Sequence, residues 1–290
     1  MSEFYNIYPK DKWRSPEYKV MDKFSLKGKK GFVTGGAGGI GRNIATAWAE
    51  AGADVALVGT PTSQERLAPL AEEMSKRYGV KIIPLYCDVS DKEQVDQLEK
   101  DLIRELGTVD IAHINAGACL SGDDVDVSYE TWKKVIDIDL NGAFLTAQTA
   151  QRIMRKHNHG GSIIITSSSS GYNVKLIGGN PSPAFAYGTA KAGVSQMARY
   201  MAASLAPYRI RVNTISPSYV WSGIHEGVMD KTGHDACLKV VPIKRFGTTE
   251  ELQGALLFLA SDASSYITGI DIPIDGGYSI FLEKQNLSWL

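Results

Sequence analysis

Thr34-Gly35-Gly36-Ala37-Gly38-Gly39-Ile40-Gly41 (TGGAGGIG) stands directly after the apolar run GFVT and opens the helix-patterned stretch GRNIATAWAEAG. Glycines at such a junction let the backbone turn sharply and approach a ligand closely. The N–H groups of a helix's first turn, with the positive end of its dipole, favour an anion at the same place. Strand, glycine turn and helix in immediate succession therefore predict the first βαβ unit of a dinucleotide-binding sheet, with the pyrophosphate on the turn.

Further apolar runs appear at 54–58 (DVALV), 81–86 (KIIPLY), 110–114 (DIAHI), 162–166 (SIIIT), 209–215 (RIRVNTI) and 270–274 (IDIPI). Most are continuous Val/Ile/Leu stretches without polar alternation, the pattern of strands buried on both faces of a parallel sheet. Helical periods lie between them, at 41–52, 128–156 and from Tyr187 to about 206. The expected fold class is α/β, a single Rossmann-like doubly wound parallel sheet with helices on both faces. Residues 1–24 read as a polar, aromatic-bearing arm, and 25–290 as one catalytic domain with a C-terminal tail.

Composition narrows the function. Lys plus Arg (31) balance Asp plus Glu (32), so the basic surface of a nucleic-acid binder is missing and a small-molecule substrate is expected. No apolar run is long enough to cross a membrane, and the N-terminus lacks the pattern of a signal peptide, which makes a cytoplasmic protein the expectation. Cys87, Cys119 and Cys237 are too widely spaced for a zinc site and odd in number for a disulfide framework. His157 and His159 read as a polar turn after a helix, so no metal is expected.

The glycine spacing Thr34-Gly35-x-x-x-Gly39-x-Gly41 is followed, in order, by Asp88-Val89, Asn115-Ala116-Gly117, Tyr187-x-x-x-Lys191, Asn213-x-x-x-Pro217, PIKRFG (242–247) and Asp275-Gly276-Gly277. This series resembles the short-chain dehydrogenase/reductase family over roughly residues 25–278. The resemblance implies strand order 3-2-1-4-5-6-7 and hydride transfer between a nicotinamide cofactor and a secondary alcohol or ketone. It further implies cofactor contacts at Gly35, Gly39, Ile40, Gly41, Gly59, Thr60, Asp88, Val89, Asn115, Gly117, Tyr187, Lys191, Pro217, Val220 and Ser222. In that scheme Lys191 holds the nicotinamide ribose and the Val220 N–H meets the nicotinamide amide. A homotetramer or homodimer is the assembly implied.

Oxidising an alcohol requires a base for its hydroxyl proton, and the reverse reaction the matching acid. Tyr187 and Lys191, four apart on a helix, project from one face, so the ammonium favours phenolate. Bringing a phenol from about 10 to about 7 takes roughly 4 kcal/mol, which the ammonium and the cationic ring of an oxidised nicotinamide would supply together. Within Ser167-Ser168-Ser169-Ser170, the family alignment places the substrate-binding hydroxyl at Ser168, and the other three serines are assigned to the strand end and its turn. Asp139 stands where the family usually has a helix-bending asparagine of a proton relay; a surface aspartate is the alternative.

The second strand ends in Gly59-Thr60-Pro61-Thr62-Ser63, without the acid that binds an unphosphorylated ribose. NADP(H) is therefore favoured over NAD(H), with Arg42 or Arg66 as possible aids. Segments 171–186 and 221–241 should wall the substrate pocket, and their Asn173, Lys175, Asn180, Trp221, His225, Glu226 and His234 suit a hydroxyl-rich substrate. The resemblance is to polyol and sugar dehydrogenases, giving a polyol, sugar or sugar acid as the expected substrate. A carbonyl or 3-oxoacyl-type ketone reductase is the enzymatic alternative, and a non-catalytic NAD(P) sensor the alternative of another class.

Overall fold

The computed structural model describes residues 19–120, 123, 126–174, 176–177, 180–181, 184–222 and 231–280. The expected N-terminal arm up to 18, the C-terminal tail from 281, and the pocket residues Lys175, His225 and Glu226 lie outside them. Residues 20–24, assigned to the arm from sequence, form a short 3₁₀ turn, with the Phe24 ring 6.3 Å from that of Phe258.

The apolar runs become seven strands: Lys30–Thr34 (β1), Asp54–Gly59 (β2), Ile82–Tyr86 (β3), Ile111–Ile114 (β4), Gly161–Thr166 (β5), Ile210–Pro217 (β6) and Asp271–Ile274 (β7). They pair in parallel in the order 3-2-1-4-5-6-7, as expected. Both faces are covered, which explains why the strands lack polar alternation. Phe32, Ala112, Ile163 and Val212 join Leu98, Leu102, Ala147 and Val194 in one core. Their chain neighbours Val33, Ile111 and Ile164 point the other way, onto Ile44, Trp48, Leu67 and Leu256. Each fully buried side chain of this size adds about 1.5–3 kcal/mol of transfer free energy.

The helices that fill these layers are Gly39–Glu50 (α1), Gln64–Tyr78 (α2), Lys92–Leu106 (α3), Tyr129–Ile136 (α4), Gly142–His157 (α5), Phe185–Leu205 (α6), Lys231–Val240 (α7) and Gln253–Ala260 (α8). The single helix expected over 128–156 is interrupted: Asp137–Asn141 form a π turn between α4 and α5. One extra residue per turn changes which side chains face inward, and it carries Asp139 into the interior. Alanines and Val194 at four-residue spacing (186, 190, 194, 198, 202) form the buried stripe of α6. Strand order reverses between β1 and β4, so the connections leaving their ends diverge and open a crevice.

Candidate active site

The crevice is built first by the glycine turn. Gly35 has φ +68°, a conformation that side chains oppose, and a Cβ on Gly41 would stand 2.3 Å from the Gly35 carbonyl oxygen. A Cβ on Gly39 would stand 2.6 Å from the Ser222 carbonyl oxygen. Gly38, at the N-cap of α1, offers no side chain to the helix's first N–H groups. A glycine cradle beside an uncapped helix start fits a pyrophosphate. Around it lies a cleft of ≈ 440 Å³ lined by Gly35, Gly39, Ile40, Gly41, Gly59, Thr60, Asp88, Val89, Asn115, Gly117, Tyr187, Lys191 and Ser222. Thirteen of the fifteen cofactor contacts expected from sequence thus come together on one surface.

Others do not line it. Pro217 ends β6, and Val220 is buried with its N–H donated to the Ser218 carbonyl at 3.0 Å. Of the two arginines, Arg66 lines the cleft, whereas Arg42 faces a hollow between α1 and α2 shared with Glu73 and Arg77. At the end of β2, Thr60 and Thr62 share a hydroxyl contact of 2.9 Å, and Ser63 Oγ donates to the Thr60 carbonyl at 2.7 Å. Asp88 spends a carboxylate oxygen on its own turn, accepting from Ser90 N–H and Oγ at 3.0 and 2.7 Å. Burial, helped by Asp88 and Asp91, pushes the neighbouring Cys87 thiol up to about 12, so it stays protonated.

A buried network then locks the floor. Thr34 Oγ1 accepts from the N–H groups of Asn115 (2.8 Å) and Ala116 (3.0 Å), while Asn115 Nδ2 donates to the Thr34 carbonyl at 3.2 Å. Thr166 Oγ1 donates to Asn115 Oδ1 at 3.2 Å and meets His113 Nε2 at 2.8 Å. With the threonine proton committed to Asn115, His113 must donate from Nε2. Burial holds its pKa down to about 3, so the imidazole is neutral. His113 and Thr166 were missed from sequence because they read as ordinary members of apolar strands, and Thr34 was read only as the first residue of the glycine motif.

The reactive groups sit above this floor. Lys191 Nζ is 3.0 Å from Asp139 Oδ1, donates to the Thr166 carbonyl at 3.1 Å and lies 5.4 Å from the centre of the Tyr187 ring. Lys191 is only 3% exposed and Asp139 0%, so this is a buried ion pair rather than a surface carboxylate. The second oxygen of Asp139 accepts from the Ala118 N–H at 3.1 Å. Gly117 permits the approach, since a Cβ there would stand 2.6 Å from Asp139 Oδ1. Ser168, 4% exposed, accepts from the Ser170 N–H at 3.1 Å, and its hydroxyl next to the phenol favours ionisation of Tyr187. Ser167 is engaged elsewhere, donating to the Lys191 carbonyl at 3.0 Å and sharing a 2.7 Å contact with Ser195.

Of the two charges expected to lower Tyr187, the structure tests the ammonium. Tyr187 lies above the usual phenol pKa, not below it: burial dominates, Lys191 pulls down, and Asp139 pushes back up. Asp139 opposes the ammonium's pull, and with burial it keeps the phenol above its ordinary value. For Lys191, burial alone would lower the pKa, but the anionic forms of Tyr187 and Asp139 outweigh it and the ammonium is held above its ordinary value. Both groups are thus in their protonated forms at neutral pH, poised for a proton donor.

Of the expected pocket walls, Trp221 is 39% exposed and the His234 ring packs edge-on against Phe246 at 4.8 Å. Neither is among the cleft-lining residues. A further residue missed from sequence, Asp123, is buried against the start of α6.

A family model described as enoyl-(acyl carrier protein) reductase matches residues 35–279. The chain is 40% identical over 262 residues to a sorbose reductase of Candida albicans, covering 90% of both chains. It is 38% identical over 263 residues to an NADP-dependent mannitol dehydrogenase of Hypocrea jecorina, covering 90% of this chain and 96% of that one. The crystal structure of a short-chain type dehydrogenase/reductase from Mycobacterium marinum superimposes with a TM-score of 0.81 at 40% identity, covering 90% of this chain and 99% of the other. With the glycine cradle at the strand-order switch and the Tyr187–Lys191 helix beside it, these likenesses make the chain a member of the short-chain dehydrogenase/reductase family, an NAD(P)-dependent oxidoreductase of CH–OH groups.

Proposed function

We propose that the protein interconverts a polyol or sugar alcohol and its ketose with NADP(H), by proton transfer at Tyr187. The observation that carries the reading is the convergence of Ser168, Tyr187, Lys191 and Asp139 beside a glycine-walled cleft. Gly35, Gly39, Ile40 and Gly41 would cradle the pyrophosphate, and Asp88, Val89, Asn115, Gly117 and Ser222 the remainder, whereas Pro217 stands back from the cleft. Gly59, Thr60 and Arg66 would take a 2′-phosphate, as no carboxylate guards the end of β2. Val220 joins this set only if its N–H leaves Ser218.

When bound, the nicotinamide supplies or accepts the hydride. The protein's own part is the proton. Ser168 donates to the substrate oxygen and holds it beside the phenol. Tyr187 gives its proton to that oxygen in reduction and takes it back in oxidation. Lys191 stabilises the phenolate formed, and Asp139 keeps Lys191 protonated and supplies the acceptor through which it is oriented. The names of the sorbose reductase and the mannitol dehydrogenase support a hydroxyl-rich substrate.

The test is a panel of ketoses, polyols, sugar acids, simple ketones and 3-oxoacyl thioesters with both cofactors, read by nicotinamide absorbance. A ketose reduced fastest, with NADPH preferred at least about tenfold, is expected; a 3-oxoacyl thioester turned over faster than every ketose would replace the substrate assignment. Assembly as a homotetramer or homodimer through α5 and α6 is part of the same proposal, supported by the exposed Phe144 and Tyr200 on those helices. Sedimentation of the whole chain as a monomer would contradict it.

A further inference from the structure

The helix that carries Tyr187 and Lys191 has no cap of its own. The residue before it is Ala184, whose side chain takes no hydrogen bond. Its first N–H groups are instead taken by one residue from elsewhere in the chain. Phe185 N–H donates to the backbone carbonyl of Asp123 at 3.2 Å, Ala186 N–H to Asp123 Oδ1 at 2.6 Å, and Tyr187 N–H to Oδ2 at 2.9 Å. The fourth, Gly188 N–H, reaches the Ala184 carbonyl at 2.7 Å. Every orphan donor of the first turn is thereby satisfied, three of the four by Asp123.

Asp123 is fully buried. A carboxylate in that position is costly unless its oxygens are bonded, and here both are, at the positive end of a 21-residue helix. The chain leaving β4 is also held at Ala118, whose N–H donates to Asp139, which in turn pairs with Lys191. Two buried carboxylates therefore tie one connection to the catalytic helix. Asp139 reaches the lysine side chain; Asp123 reaches the peptide of the tyrosine.

We propose that Asp123 is a positioning residue for the acid–base centre, fixing the first turn of α6 and hence where the Tyr187 hydroxyl stands relative to Ser168 and Lys191. Tyr187 is the third residue of its helix, in the turn that frays when its N–H groups lose their acceptors. Lys191 is one turn deeper and anchored separately by the Thr166 carbonyl and Asp139. Loss of Asp123 should then misplace the phenol and leave the lysine and the glycine cradle in place. The inference rests on the reading of Tyr187 as proton donor and acceptor.

The experiment compares full-length Asp123→Asn and Asp123→Ala with the unmodified protein for kcat, substrate KM and NADPH affinity by fluorescence titration. Asparagine keeps one acceptor oxygen and so restores part of the cap. The expected result is a kcat lower by about tenfold in Asp123→Asn and about 10²-fold in Asp123→Ala, the scale of a displaced reacting group. NADPH affinity should stay within about twofold in Asp123→Asn. An unchanged kcat in both variants overturns the role, and so does a parallel loss of kcat and NADPH affinity in Asp123→Asn, which would mark general damage. Tyr187→Phe in the same assay separates the two claims. Turnover retained there removes Tyr187 from the chemistry, whereas turnover lost there but intact in both Asp123 variants overturns the positioning role alone.

Discussion

Asp139 shows how one side chain sets the chemistry of its neighbours. Its charge raises both Tyr187 and Lys191, and its position in the π turn makes that effect unavoidable. Asp139→Asn keeps a hydrogen-bonding group of the same shape and removes the charge. Since both partners are held up by that charge, both should titrate lower, and the pH profile of kcat for alcohol oxidation should move to lower pH while turnover stays within about tenfold. A profile that superimposes on the unmodified protein's would remove Asp139 from the proton path. The identity of these residues was legible from spacing and resemblance; the direction of the Tyr187 shift was not. Spacing reports that Lys191 is near, but not that Asp139 is nearer to it or that burial outweighs the lysine's pull on the phenol.

At the scale of elements, the glycine turn is a packing requirement as well as the proposed binding one. A methyl at Gly41 would run into the Gly35 carbonyl, which is backbone and cannot rotate away. Gly41→Ala is therefore expected to cost about 1–3 kcal/mol of stability and to weaken NADPH binding at least about tenfold, measured by thermal melting and fluorescence titration. Unchanged affinity would show that the cradle tolerates a wider turn. Strands and the turn could be read in advance because each is signalled by local composition: Ile163, Ile164 and Ile165 form an unbroken apolar run, and Gly35 is needed where φ is positive. The π turn and the cap on α6 could not. Both depend on partners far away in sequence, Lys191 for Asp139 and the start of α6 for Asp123.

For the molecule as a whole, the buried network under the cleft ties stability to pH. His113 is neutral when folded, with its pKa lowered from 6.5 to about 3 by burial. The unfolded chain takes up a proton below its ordinary pKa and the folded one does not. Stability is therefore full above about 6.5 and declines as pH falls towards about 3. The loss by pH 5 is about 2 kcal/mol. His113→Gln should be less stable at neutral pH, where it disturbs the bond to Thr166, yet lose less on acidification. Denaturant melts at several pH values check this, and equal slopes for the two proteins would show that His113 is not the titrating group.

All of these effects converge on one site and on a single proton. Initial rates of NADPH oxidation with the best ketose, for the unmodified protein and for Tyr187→Phe at equal saturation with NADPH, test it most directly. The predicted result is a fall of about 10²–10⁴-fold in kcat with NADPH affinity retained, because Phe keeps the ring and removes only the hydroxyl. A Tyr187→Phe protein that reduces the ketose at the unmodified rate would mean that the proton comes from another group.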